Sequence, residues 1–226
     1  MSEGPLAGRR VVVSAGPTFE DIDPVRFLGN RSSGKMGFAI AAAAARRGAD
    51  TVLVAGPVAL PTPPGVRRTD VRSAAQLRAA VLAALPADAY IGAAAVADWT
   101  PREPSPRKLK KRAGVDTLTL ELVRTPDVLA EVAAHPQRPR LVIGFAAETD
   151  DDLARYARAK LQAKHLDLIA ANRVGVPGSG FESDHNALVV YWPGGERALG
   201  PAPKTRLAED LLDLVAARLQ PDIVTP

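Results

Sequence analysis

Short apolar runs rich in β-branched residues alternate with helix-favouring stretches along nearly the whole chain, and this alternation restricts the fold more than any other feature. Val11-Val12-Val13 stops at Gly16-Pro17 and predicts a buried strand. Residues 36–47 are rich in alanine and end at Gly48, the expected C-terminal stop of a helix. Residues 51–55 give a second apolar run, closed by Gly56-Pro57. Together they make a βαβ unit whose first connection is long and whose crossover should be right-handed. Ser73 with Gln76 predicts a capping box ahead of Leu77, Val81 and Leu85 on one helical face. Strands are predicted at 90–96, 117–123, 141–145, 166–170 and 187–192. Thr125-Pro126-Asp127 supplies an N-cap, a proline at the first helical position and an acid at the positive helix end. Thr149 is expected to cap a helix opening with Asp150, Asp151 and Asp152. Thr205 is expected to begin a last helix that turns Leu207, Leu211, Leu214 and Val215 inward.

Strands alternating with helices predict an α/β fold, Rossmann-like, with a mostly parallel sheet covered by helices on both faces. No repeat or linker divides the chain, so residues 1–226 read as one domain. Only 4% of residues are aromatic while alanine is abundant, which suits helices lying close to a sheet. There is no cysteine, which excludes disulfides, thiolate zinc sites and a cysteine nucleophile. No run of about 18 apolar residues occurs and the first residues lack an apolar stretch, so the expectation is a cytoplasmic protein with no membrane span. The net charge of +4 is too small to require a nucleic-acid partner.

In an open parallel sheet, ligands bind beyond the carboxyl ends of the strands, and four unusual segments are expected there: Gly16 to Gly37, Ala93 to Arg112, Gly144 to Glu148 and Ala170 to Val176. The first holds Gly29-Asn30-Arg31-Ser32-Ser33-Gly34-Lys35-Met36-Gly37, which nearly satisfies a phosphate loop. Met36 stands where the magnesium-binding hydroxyl belongs, and the preceding strand ends too far upstream. Two readings remain for this turn: amides at a helix N-terminus holding an anion, or an ordinary capped turn. In the second segment, Ala93-Ala94-Ala95-Val96-Ala97-Asp98-Trp99, small side chains would let a ligand approach the backbone. Asp98 would either ligate magnesium or cap a turn. Arg107-Lys108-Leu109-Lys110-Lys111-Arg112 could neutralise phosphates or form a solvated face, and it lacks the aromatics of a nucleic-acid platform. Phe145 and Asn172 sit at the ends of later strands, where a core ring and a turn former are the ordinary roles. His135, His165 and His185 have no metal-ligand spacing.

Read together, Ser14-Ala15-Gly16-Pro17-Thr18, Asp23-Pro24-Val25-Arg26-Phe27, the turn from Asn30 to Gly37, Ala94-Ala95-Val96-Ala97-Asp98, Lys108-Leu109-Lys110-Lys111, Gly144-Phe145-Ala146-Ala147-Glu148-Thr149 and Ala171-Asn172 resemble the bacterial phosphopantothenoylcysteine synthetase family. In that family the synthetase is commonly the C-terminal half of a bifunctional protein with a decarboxylase. The resemblance implies a ligase that joins 4′-phosphopantothenate to L-cysteine through an acyl-cytidylate. CTP would be the co-substrate, Mg2+ or Mn2+ the metal, and a homodimer the assembly. It implies that Asn30 holds the acyl-cytidylate, that Lys108 contacts the nucleotide and supports activation, and that Asp98 lies near the metal and ribose. Gly16, Ser32, Ser33, Gly34 and Gly37 would cradle phosphates, the backbone at Ala95, Ala97 and Trp99 would read the base, and Phe145 and Asn172 would complete the nucleotide site. Arg173 stands where many relatives carry aspartate. A nicotinamide-dependent oxidoreductase is the rival reading, but G-x-G-x-x-G does not follow the first strand.

Overall fold

The computed structural model describes residues 3–111, 114, 116–148, 152–173 and 183–220, with Glu148 and Arg173 as backbone only. The first half runs β1 (Arg10–Ala15), β2 (Phe19–Asp21), β3 (Phe27–Gly29), α1 (Lys35–Arg46), β4 (Asp50–Ala55), β5 (Val66–Asp70), α2 (Ala74–Ala83) and β6 (Ala89–Gly92). The second runs β7 (Trp99–Pro101), β8 (Leu122–Arg124), α3 (Val128–Ala133), β9 (Leu141–Glu148), α4 (Leu153–Ala163), β10 (Leu168–Arg173), β11 (His185–Trp192), β12 (Gly195–Pro203) and α5 (Lys204–Leu219).

An 8-stranded sheet carries the order β12-β11-β10-β9-β6-β1-β4-β5. All its pairs are parallel except β10–β11 and β11–β12. Numbered among themselves, the parallel strands read 3-2-1-4-5-6, the order in which the chain reverses direction between β1 and β6. Successive strand residues point to opposite faces, so a strand covered on both sides must be apolar throughout. Val11 and Val13 therefore pack with Ile40, Ala41 and Ala44 of α1 and Leu207, Leu211 and Val215 of α5. Val12 packs on the other side with Leu77 and Val81 of α2, Val132 of α3 and Leu161 of α4. The expected fold class is the observed one.

Gly37 sets how close α1 lies to the sheet, since a Cβ there would stand 2.4 Å from the Ala15 Cβ. The capping box forms as expected: the Ser73 side chain accepts from Gln76 N and the Gln76 side chain accepts from the Ser73 amide. Leu85 lies beyond that helix, although it is buried.

Several boundaries differ from the sequence expectation. The third strand stops at Gly92 instead of running to residue 96, because the following chain turns away to pair once with Pro17 at Ala95. Of residues 117–123 only the end is strand: β8 pairs with β7 in a separate 2-stranded sheet. Thr125 does not cap α3. The Thr125 hydroxyl is committed to Ala97 O, to which it donates at 2.6 Å, and Asp127 caps instead by accepting from Ala130 N at 3.1 Å. The expected Thr149 cap, with Asp150 and Asp151, lies outside the described residues, and Asp152 caps α4 by accepting from Arg155 N. β5, with Arg67, Arg68 and Asp70, and β12, with Pro201 and Pro203, form the two edges of the sheet and were not anticipated.

Candidate active site

The reversal between β1 and β6 opens a cleft of about 940 Å3 at the carboxyl ends of the strands. Its floor is Ser14 of β1 and Tyr90 of β6, whose hydroxyls share a buried 3.0 Å hydrogen bond. Loss of hydration pushes the Tyr90 phenol up to about 12, so the group stays neutral and keeps its proton.

Asn30, Ser32, Ser33, Gly34 and Gly37 line one wall. Gly34 is the N-cap of α1 at φ 74, a left-handed conformation that costs glycine least, and its N–H donates to Ser32 Oγ at 3.3 Å. The Asn30 amide donates to Val96 O at 2.8 Å and thereby ties this turn to the opposite wall. That wall holds Ala95, Asp98 and Trp99, with the Arg124 guanidinium over the Trp99 ring. Phe145 and Asn172, from the ends of β9 and β10, close the far side.

Three expected site residues do not line the cleft. Gly16 is held at φ 80 beneath it, and its carbonyl accepts from Ala95 N at 2.8 Å. Ala97 is buried, with its N–H donated to Thr18 Oγ1 at 2.9 Å and its carbonyl accepting from Thr125. The Ala95 carbonyl also accepts from Thr18 N, so base reading by the Ala95 and Ala97 amides would require these bonds to open. Gly37 lines the cleft, but its lack of a Cβ is needed for contact with β1. Lys108 is exposed on the 102–111 segment outside the cleft. Arg112 of the same basic run and Val174 to Val176 lie outside the described residues, as does the Arg173 side chain.

The Lys108 segment is fastened from below. The Asp23 carboxylate, with no exposed surface, accepts from Leu109 N at 3.0 Å, from Val25 N and Arg26 N, and from the Arg26 guanidinium. Arg26 Nη2 donates in turn to Leu109 O at 2.8 Å. The Arg26 hydrogen bond, opposed by lost hydration and joined by the three amides, holds the Asp23 carboxyl well below the usual carboxylate range. A group depressed in the folded state contributes stability above its unfolded value of about 3.9 and loses it as pH falls toward the folded value. Asp23→Asn should therefore be less stable than wild type near neutrality, and the gap should narrow below about pH 4. Urea midpoints across that range decide it; a gap that stays constant would remove the carboxylate charge as the cause.

Sequence reasoning missed the cations opposite Asn30. Lys160 of α4 and Lys164, which caps the C-terminus of that helix, reach the cleft, as do Lys35 and Lys204, together with residues 125–129 at the start of α3. Lys160 Nζ donates to Phe145 O at 2.9 Å, and Lys164 pairs with Asp127 at 2.7 Å. Burial raises the Asp127 carboxyl, but the Lys164 hydrogen bond, the Ala130 N–H and the charges of Lys164 and Lys160 together hold the group below its ordinary value. Asp98 and Asp127 are acids of the cleft, and no cluster of three or more metal-ligating side chains exists among the described residues. A single carboxylate plus phosphate oxygens suits magnesium, which keeps much of its water.

Over residues 6–219 the sequence matches the family described as the DNA/pantothenate metabolism flavoprotein C-terminal domain. The chain belongs to that family. The coenzyme A biosynthesis bifunctional protein CoaBC of Vibrio cholerae is 48% identical over 211 residues, covering 93% of this chain and 53% of that protein. CoaBC of Escherichia coli K12 is 50% identical over 210 residues, covering 92% of this chain and 52% of that one. The chain thus spans about half the length of the curated relatives it matches. Among solved structures, the C-terminal domain of CoaBC is 36% identical with a TM-score of 0.80, covering 96% of this chain and 98% of that chain. A Cab2 mutant in complex with phosphopantothenate-cysteine is similar in fold alone, at 15% identity and a TM-score of 0.73, covering 93% of this chain and 87% of that chain. No helix among the described residues is long and apolar enough to cross a membrane.

Proposed function

We propose that this chain is the ligase that joins 4′-phosphopantothenate to L-cysteine, with CTP as the activating nucleotide. The observation that carries this reading is one cleft where the Asn30–Gly37 turn at the α1 N-terminus faces Lys160 and Lys164 across the sheet reversal. Its volume, about 940 Å3, is ample for a nucleotide beside an acyl substrate. The CoaBC relatives, coenzyme A biosynthesis proteins by name, support the same pathway.

In the first step a carboxylate oxygen of phosphopantothenate attacks the α-phosphorus of CTP. The bond to the β-phosphate oxygen breaks, and pyrophosphate leaves with the electron pair. The cysteine amine then attacks the acyl carbon, loses a proton, and expels CMP to leave the amide. The chain's part is to align the carboxylate and phosphorus and to supply donors where charge develops. Amides at the start of α1 and the serine hydroxyls would hold phosphates, while Asn30 would hold the acyl group. Lys108 would reach the nucleotide from its anchored segment and support activation. Asp98 would hold magnesium or manganese together with phosphate oxygens, and the metal would neutralise charge on the triphosphate. Tyr90, neutral and buried, keeps water from the floor without acting as a base.

The homodimer implied by the resemblance belongs to this reading, and exposed Val25 and Phe27 near β2–β3 and Leu122 of β8 are apolar side chains open to a second copy. A decarboxylase, fused or separate, would supply the complementary activity. The experiment is pyrophosphate release with phosphopantothenate and magnesium, comparing CTP with ATP and adding cysteine. Release should require phosphopantothenate, prefer CTP, and yield CMP and amide once cysteine is present. Silence with both nucleotides would overturn the ligase reading and direct attention to nicotinamide-cofactor binding.

A further inference from the structure

The face of the sheet that α1 and α5 cover is apolar until it meets the cleft, where it ends in two carboxamides. Asn172 continues on β10 the face of Leu168 and Ala170, and Asn186 continues on β11 the face of Leu188 and Val190. Both line the cleft, yet Asn172 is only 9% exposed and Asn186 only 8%. Asn186 Oδ1 accepts from Ala187 N at 3.0 Å. A backbone N–H must meet an oxygen, so the Asn186 amino group is the end left over. Among the described residues, neither that amino group nor the Asn172 carboxamide has a protein partner. No fully enclosed side-chain nitrogen or oxygen among those residues lacks one, so the unpaired groups open onto the cleft. Leaving a nearly buried amide unpaired is costly, and two on adjacent strands point to a ligand that completes them. Lys35, the first residue of α1, pairs at 2.6 Å with Asp184, two residues ahead of Asn186. That pair draws the Asn30–Gly37 turn and the carboxamides to the same end of the cleft. Phosphate oxygens only accept, which matches the donor that Asn186 has left.

We propose that Asn186, together with Asn172, donates to phosphate oxygens of the nucleoside triphosphate, on the side of the phosphate chain away from the Asn30–Gly37 turn. This rests on the nucleotide-dependent ligase reading above and adds Asn186, on a strand outside the turn, to the groups that hold the nucleotide. A planar amide fixes direction as well as contact, and so helps to align the α-phosphorus for attack.

Asn186→Asp keeps an oxygen for the Ala187 N–H but replaces the donor with a negative charge. Calorimetric titration of wild type, Asn186→Asp and Asn186→Leu with CTP, inorganic tripolyphosphate and 4′-phosphopantothenate, beside melting temperatures without ligand, tests the assignment. Leu should weaken CTP and tripolyphosphate by about 10- to 100-fold, the range for one hydrogen bond to a charged group, and Asp should weaken them further. The Asp variant should melt near wild type, and phosphopantothenate affinity should change by less than about twofold. Unchanged affinity for CTP and tripolyphosphate in both variants would overturn the proposal and leave the amide to solvent. A loss confined to phosphopantothenate would overturn it too, giving the amide to the acyl substrate's phosphate. An equal loss for all three ligands with a lowered melting temperature would make Asn186 a structural residue and defeat the proposal. A wild type that binds neither CTP nor tripolyphosphate would overturn this contact and the nucleotide reading together. Asn186-dependent CTP binding without phosphopantothenate-dependent pyrophosphate release would instead sink the ligase reading and leave the phosphate contact standing.

Discussion

Asn30→Asp should release pyrophosphate at close to the wild-type rate, form amide about 100-fold more slowly or worse, and accumulate the acyl-cytidylate. Asn30 lies in the cleft wall, where one N–H of its amide is committed to Val96 O at 2.8 Å. The amide has a second N–H, which can stabilise the oxygen that becomes negative when cysteine attacks the acyl carbon. Aspartate supplies no donor and places a negative charge beside the developing one. Loss of a single such donor costs about two to three orders of magnitude in other acyl-transfer sites. Rapid quenching with labelled CTP and phosphopantothenate, followed by a cysteine chase, separates the two steps. Abolished CTP binding, or amide formation as fast as wild type, would remove Asn30 from the second step.

The second large effect concerns a residue outside the cleft. Gly56 follows β4, and a Cβ on it would stand 1.7 Å from the Pro17 carbonyl oxygen and 2.8 Å from its carbonyl carbon. Both are backbone atoms, so no rotamer change relieves the clash. Pro17 bridges Ala95, next to the bonds from Ala95 to Gly16 and Thr18 that join the two connections at the sheet reversal. Gly56→Ala should therefore cost about 3 kcal/mol or more, the upper end for overpacking. For a chain of this size that lowers Tm by about 6–12 °C. Nucleotide affinity should fall with it, because residues 93–99 are displaced along with Pro17. A melting temperature near wild type with intact CTP binding would show that the Pro17 segment yields freely.

The central parallel strands were legible because burial on both faces leaves them apolar throughout, as in Val11-Val12-Val13 and residues 141–145. β5 was not, since at the sheet edge it reads Val-Arg-Arg-Thr-Asp and buries little. β12 was hidden by glycines and prolines that disfavour strand in isolation, and it forms only because β11 offers a partner across the Gly194 turn. The cleft divides in the same way. The Asn30–Gly37 turn and Ala93–Trp99 stood out as unusual local sequence. Lys160 and Lys164 look like the solvated face of a helix, and Lys204 like a boundary residue; only tertiary packing brings them to the opposite wall. Lys108 shows the reverse, being conspicuous in sequence and exposed in the fold.

The two outer strands also bear on how copies of this chain meet. A bare strand offers a template for another chain's backbone, and β5 meets that hazard with Arg67, Arg68 and Asp70 along its length. β12 meets it with Pro201 and Pro203, which have no N–H to donate. Neither margin invites addition of a further strand, so the central sheet resists growing into a continuous intermolecular ladder, and ordered self-association is left to other surfaces.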